Sequence, residues 1–290
     1  MGVFDCVRIA IYDRRVSESR KTENTTADPD LGANPSGGLG EYVQASRTPL
    51  HILAFLLPII VVYEVGLALQ HEALAGTGGV RAWAMLAEVM ETLGVAPSAV
   101  VGYSLPAAVI VVVLLLWHVL EKQRWRVRPM VVLLMAAETV AWMVPLLLFV
   151  GVLTRVIGES GTGPQPMSPT TLESLEGLGW QARLVIALGA GLYEELLFRM
   201  ALLAVLHAVL AELLKLGPKL VIGIALPLSA LAVSLFHDVW TASGLDLWAA
   251  VLYFAGGLYL GVIYLLRGFG LAVGVHACYN TTVLVLLGPA

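Results

Sequence analysis

Glu194 and Glu195 are adjacent, and Arg199 follows the second acid by four residues, in a stretch from Leu184 to Leu210 that is otherwise almost wholly apolar. Two later apolar stretches carry His237 and the pair His276 and Asn280. Ionisable side chains are costly to place among apolar ones in a membrane, so their recurrence there points to function. The residue types are also suited to one another. A carboxylate and an imidazole can take a proton from water, and a histidine beside an asparagine can donate hydrogen bonds to the oxyanion that forms when water attacks a carbonyl. Together they have the parts of a hydrolytic centre inside a bilayer.

Helical spacing divides the labour. Glu195 and Arg199 share a helix face, so an ion pair between them lowers the cost of burying either charge. Glu194 points about 100° away from Glu195. Less directly paired, it is the acid suited to exchanging a proton, while Glu195 with Arg199 suits architecture. His276 and Asn280 are likewise one helical turn apart and can present their donors side by side. Each group also has a structural use: buried ion pairs, and His and Asn on facing helices, act as polar clamps in membranes.

The elements that must carry these residues are helices. Of the 290 residues, 58% are hydrophobic and 13% charged, with a mean hydropathy of +0.84, far from soluble averages. Apolar stretches of bilayer-crossing length, roughly 20 residues, recur along the chain. They run approximately from Pro49 to Leu69, Ser98 to Leu120, Met130 to Leu153, Arg183 to His207, Val221 to Trp240, Leu247 to Leu266 and Phe269 to Leu287. The fold expected is an all-α, polytopic transmembrane bundle of about seven spans, within a range of six to eight. Arg81 to Leu93 is too short and acidic to cross and reads as an interfacial or re-entrant helix. Residues 1–48 are polar and read as a disordered tail, leaving 49–290 as the membrane domain. The net charge of -4 and the absence of a basic block give no indication of nucleic acid.

Basic residues set an orientation. Arg47, the run Lys122, Arg124, Arg126 and Arg128, the pair Lys215 and Lys219, and Arg267 all fall on one side if the N-terminus is cytoplasmic and the C-terminus outside. Trp117, Trp125, Trp180, Trp240 and Trp248 lie near span ends, where indoles anchor at the interface. The fourth and fifth spans form a hairpin turning at Leu216, Gly217 and Pro218. Glu195 and His237 are equally far along the chain from Leu216, so an antiparallel pair brings them level. The hairpin must then project beyond the bilayer, as Glu212, Lys215 and Lys219 allow, for these residues to share a depth with His276. Gly257 with Gly261 and Gly270 with Gly274 are GxxxG pairs that permit close helix approach, or dimerisation. Cys6 and Cys278 are read as free thiols, the second as a packing residue.

The same residues resemble the CAAX protease and bacteriocin-processing (CPBP or Abi) family of intramembrane proteases, whose pattern is EExxxR, FxxxH and HxxxN or HxxxD on successive helices. Glu194-Glu195-Leu196-Leu197-Phe198-Arg199 and His276-Ala277-Cys278-Tyr279-Asn280 match in full; in the second motif His237 is in place but Val233 stands where the family has Phe. The resemblance covers about residues 180–285. It implies hydrolysis of a peptide bond in a membrane-anchored protein or peptide, lipidated or not. Glu194 and His237 would activate water, His276 and Asn280 would hold the oxyanion, and Glu195 and Arg199 would shape the site.

Glu194, His237 and His276 also have the composition of a His2Glu zinc site. No HExxH is present, since His71-Glu72-Ala73-Leu74-Ala75 ends in alanine, and the reading is a metal-free glutamate mechanism with no cofactor. No GxGD occurs, and Thr241-Ala242-Ser243-Gly244 lacks the first glycine of a serine motif. The alternatives are a proton- or ion-coupled transporter, with Glu64 and Glu138 as further relay acids, and a non-catalytic scaffold or immunity protein.

Overall fold

The computed structural model describes residues 38–74, 91–92, 99–122, 124–158, 177–237, 239–241 and 244–287. Its helices are α1 (Leu39–Ala45), α2 (Pro49–Leu74), α3 (Ala99–Leu120), α4 (Pro129–Gly158), α5 (Trp180–Leu213), α6 (Pro218–Phe236), α7 (Leu247–Arg267) and α8 (Phe269–Leu286). Six of them, α2 and α4 to α8, are long and apolar enough to cross a membrane, and α3 holds the shorter apolar segment Ala107–Leu120. Each corresponds to one of the seven apolar stretches of the sequence. Val61, Val65 and Leu69 on α2 and Leu133, Leu148 and Val152 on α4 are exposed on the outside of the bundle, where lipid rather than water suits them. The chain is a multi-pass membrane protein with an all-α fold.

The interfacial helix expected over Arg81 to Leu93 lies almost entirely outside the described residues, as do residues 1–37 of the polar tail. The end of that tail is folded, with α1 at Leu39–Ala45.

At the centre of the bundle lies α8, which packs against α2, α4, α5 and α7. Every residue from Phe269 to Ala277 is buried, so this helix is apolar on all sides rather than striped. Its small residues explain how so many neighbours fit. A Cβ on Gly270 would lie 3.2 Å from Ile52 of α2, and one on Gly274 would lie 2.8 Å from Phe55 of α2 and from Thr139 of α4. On α7 the corresponding pair faces α6: a Cβ on Gly257 would meet the Ala230 backbone at 3.2 Å, and one on Gly261 would meet Leu226 at 2.5 Å. Both GxxxG pairs therefore serve packing within the chain.

The joint between α7 and α8 is a single residue, Gly268, with φ of 88° and ψ of 178°. That region is accessible essentially to glycine alone. Beside it, Arg267 forms a two-pronged pair with Glu138 of α4, at 2.5 Å from Nε and 2.7 Å from a terminal nitrogen. Glu138 also accepts from Tyr42 of α1 at 2.5 Å and from the Trp142 indole at 3.0 Å. Burial, and then the neighbouring carboxylate, push the Tyr42 phenol up to about 12, so it stays protonated and donating. Arg267 donates to Ser46 at 3.1 Å and Arg47 donates to the Leu265 carbonyl at 3.3 Å. The segment around α1 thus straps the turn from which α8 starts, and Glu138 is a hydrogen-bonded structural acid.

Candidate active site

Glu194 and Glu195 end the regular part of α5, and the helix widens into a π-turn over Leu196–Leu202 immediately after them. A π-turn displaces the backbone ladder and is often found at functional positions. Here the Phe198 carbonyl accepts from the Ser229 hydroxyl of α6 at 2.9 Å, a cross-helix bond that fixes α6 against the motif. The whole helix, at 34 residues, is about 51 Å long at 1.5 Å per residue, far more than the ~30 Å of hydrocarbon. Such a length accommodates the projecting hairpin that the sequence requires.

Arg199 and Glu195 are both fully buried and their charges lie 3.0 Å apart. Arg199 also donates to the Gly257 carbonyl of α7 at 3.1 Å. The pair expected from the spacing is therefore present, but Glu195 reaches further than Arg199. Its Oε1 lies 2.8 Å from Nδ1 of His276 on α8. A carboxylate at that distance accepts the Nδ1 proton, which leaves Nε2 facing the other acid: Nε2 is 3.9 Å from Oε2 of Glu194.

His237 differs from the expectation of a residue inside the fifth span. The helix stops at Phe236, and His237 has the extended values φ of -82° and ψ of 166°. Beyond it the chain forms a short hairpin, Trp240–Thr241 (β1) against Gly244–Leu245 (β2), which leads into the Asp246 cap of α7. The hydropathy of Val239 and Trp240 conceals this break. The last carbonyls of a helix lack intrahelical donors. The His237 ring supplies one, donating from Nδ1 to the Val233 carbonyl at 2.8 Å. That bond fixes the tautomer, so the bare Nε2 points to Glu194 Oε2 at 3.8 Å.

One carboxylate oxygen from α5 thus faces two imidazole nitrogens, one beyond the end of α6 and one on α8. Separations of 3.8 and 3.9 Å are too long for direct hydrogen bonds but short enough for one water to be shared. Glu194 and His276 are 8% and 11% exposed and His237 is 23% exposed, so the imidazole beyond the helix end is the open side of the site. Asn280 lies one turn beyond His276 on α8 and is half-buried; its side chain makes no hydrogen bond among the described residues. For zinc, with bonds near 2.0 Å, tetrahedral donors would sit about 3.3 Å apart. The two separations exceed that value, and among the described residues no group of three or more His, Cys, Asp or Glu is arranged to hold a metal.

Two neighbours were not legible as site residues. A Cβ on Gly191 would lie 2.8 Å from the backbone of Ala277, so α5 and α8 touch one turn before Glu195 and one residue after His276. Tyr253 of α7 stacks on the His237 ring at 3.9 Å with an interplanar angle of 19°. The signal for Gly191 was its place on the Glu195 face; nothing in the spacing singled out Tyr253 among the aromatics of α7. The second candidate relay acid, Glu64 on α2, accepts from Ser104 of α3 at 2.5 Å.

Comparison with curated proteins and with solved structures finds no match. The family model described as Type II CAAX prenyl endopeptidase Rce1-like matches residues 177–282, which include α5 to α7, α8 through Thr282, and every site residue named above. Over that segment the chain is similar to the CAAX prenyl endopeptidase family.

Proposed function

We propose that the protein is an intramembrane endopeptidase that hydrolyses a peptide bond in a membrane-anchored protein or peptide, using a glutamate- and histidine-activated water. The observation that carries this reading is the convergence of Glu194 Oε2 on the Nε2 atoms of His237 and His276 from three separate parts of the chain. The match to a prenyl endopeptidase family supports it.

A water donating to Glu194 Oε2 and to His237 Nε2 has its remaining lone pairs directed at an incoming carbonyl carbon. Glu194 takes one proton as the oxygen attacks, and the carbonyl oxygen becomes the oxyanion. His276 and Asn280 donate to it. Since Nδ1 of His276 already donates to Glu195, donation from Nε2 requires the doubly protonated ring, whose charge then faces the Glu195 carboxylate. Glu194 returns its proton to the leaving amine, so one water is consumed and an acid and an amine are released. No step needs a metal or cofactor. The open side at His237 and the apolar exterior suit a substrate delivered from the bilayer, and a prenylated C-terminal peptide is the first class to assay. The clustering of Arg47, Arg128 and Arg267 around one end of the bundle supports a cytoplasmic N-terminus and an external C-terminus.

The test compares maps of protein termini in membranes holding the intact protein or Glu194→Gln at equal abundance. Termini that depend on Glu194, and cleavage by the purified protein that survives a chelator, are expected. Identical maps would remove the proposal, and chelator-sensitive activity restored by Zn²⁺ would replace its mechanism.

A further inference from the structure

His237 is the least conventionally held of the site groups. Glu194, Glu195 and His276 sit on continuous helices, whereas His237 follows the last helical residue of α6 and has extended backbone. Its ring orientation must therefore come from side-chain contacts. Three are present. The bond from Nδ1 to the Val233 carbonyl fixes one edge, Phe236 lies edge-on with its centroid 5.7 Å away, and the Tyr253 ring covers one face at 3.9 Å.

The first contact leaves a rotation about the Nδ1 to carbonyl direction, and Phe236, as the adjacent residue, moves with the same turn of chain. Tyr253 belongs to a different element. It lies one turn before Gly257 on α7, where α7 packs closely on α6, with the Gly257 Cβ position 3.2 Å from Ala230 and 3.3 Å from Val233. Ser234 reinforces that contact by donating to the Ala250 carbonyl at 2.7 Å. Tyr253 is thus presented to His237 from a closely packed seam between α6 and α7.

We infer that Tyr253 is a positioning residue for the proposed hydrolysis, holding the His237 imidazole in the plane that aims Nε2 at Glu194 and at the water between them. This rests on the endopeptidase reading above. The aromatic face carries the effect and the hydroxyl does not.

The test uses the full-length protein in detergent or nanodiscs, with a quenched fluorescent farnesylated C-terminal peptide and the Glu194-dependent membrane termini as readouts. Tyr253→Leu is expected to lower kcat about ten- to a hundredfold, part of the full contribution of an acid-base group, with KM near the wild-type value. Tyr253→Phe is expected to retain activity. In spectra of ring-labelled histidine, the His237 protons, assigned with His237→Gln, should be displaced upfield by the stacked ring in wild type and Tyr253→Phe and should lose that displacement in Tyr253→Leu. Wild-type kcat in Tyr253→Leu, a loss confined to KM, or equal impairment in Tyr253→Phe would overturn the inference. Should Tyr253→Leu fail to fold, Tyr253→Phe and Tyr253→Trp, which keep a ring face, must both stay active for the inference to stand. Full activity in Glu194→Gln and His237→Gln would instead overturn the glutamate- and histidine-activated mechanism, and the role of Tyr253 with it, whereas no cleavage of the peptide or of any membrane terminus by the wild-type protein would overturn the endopeptidase reading itself.

Discussion

Gly191 and Ala277 meet with no room for a side chain between them: a Cβ at position 191 would lie 2.8 Å from the Ala277 backbone. The contact is one turn from Glu195 and one residue from His276, so the spacing of α5 and α8 here sets the 2.8 Å hydrogen bond between those two side chains. Gly191→Val must push the helices apart. Overpacking of this kind typically costs about 1–3 kcal/mol. The expected outcome is a lower melting temperature in detergent together with loss of peptide cleavage. Gly223→Ala on α6, where a Cβ would meet nothing within 4 Å, is the matched control and should be tolerated.

The buried pair of Glu195 and Arg199 gives a second expectation. Both side chains are fully removed from solvent, so neither charge can be exposed when its partner is lost. Arg199→Met leaves the Glu195 carboxylate with only His276 opposite it and is expected to cost about 3–5 kcal/mol. The double variant Glu195→Gln with Arg199→Met should be more stable than the single Arg199→Met, because no uncompensated charge remains. Denaturant titration in micelles reads the difference, and an additive double variant would show that the two groups are not coupled.

Glu194 should behave differently. Its Oε2 makes no direct hydrogen bond among the described residues, lying 3.8 and 3.9 Å from the two imidazoles. Glu194→Gln conserves shape and removes the proposed base, so stability should hold while kcat falls by about 10²–10⁴ or more. Asn280→Ala removes one proposed oxyanion donor and should cost about 10²–10³. Combining the two should cost little more than Glu194→Gln alone, since groups acting in one step are not additive. Steady-state cleavage and thermal melting on the same preparations separate the two effects.

Much of this arrangement is legible in the sequence because membranes constrain it strongly. Hydropathy locates the spans, and the one-turn spacing of Glu195 with Arg199 correctly indicates an ion pair. Equal chain distances from Leu216 bring the diacid level with His237, as found. What hydropathy cannot show is a helix end hidden in apolar residues. Phe236, Val239 and Trp240 read as continuous span, yet the chain turns out of the helix at His237 and enters a short hairpin. Nor can helix periodicity reveal a bond between helices, and for that reason the hydrogen bond from His276 to Glu195 and the stack of Tyr253 on His237 emerge only from packing. Glu138, a candidate proton relay by its position, is committed to Arg267, Tyr42 and Trp142.

Gly268 provides the last expectation. It ends α7 and begins α8 with φ of 88° and ψ of 178°, a conformation that costs other residues of order 1–3 kcal/mol. Space is not the obstacle, because a Cβ there would have only an ordinary 3.7 Å contact with Arg47. Gly268→Ala should therefore destabilise through backbone strain. Gly268→Asn should be no better, since asparagine tolerates the left-handed helical region but not this one. If the backbone relieves the strain by rotating, α8 starts at a different angle, and the clasp of Arg267 on Glu138 resists that rotation. Pairing Gly268→Ala with Arg267→Gln should then lower activity more than the separate losses combined, because His276 lies only about two turns beyond the joint. Cleavage measured well below each variant's melting temperature distinguishes this displacement from simple unfolding.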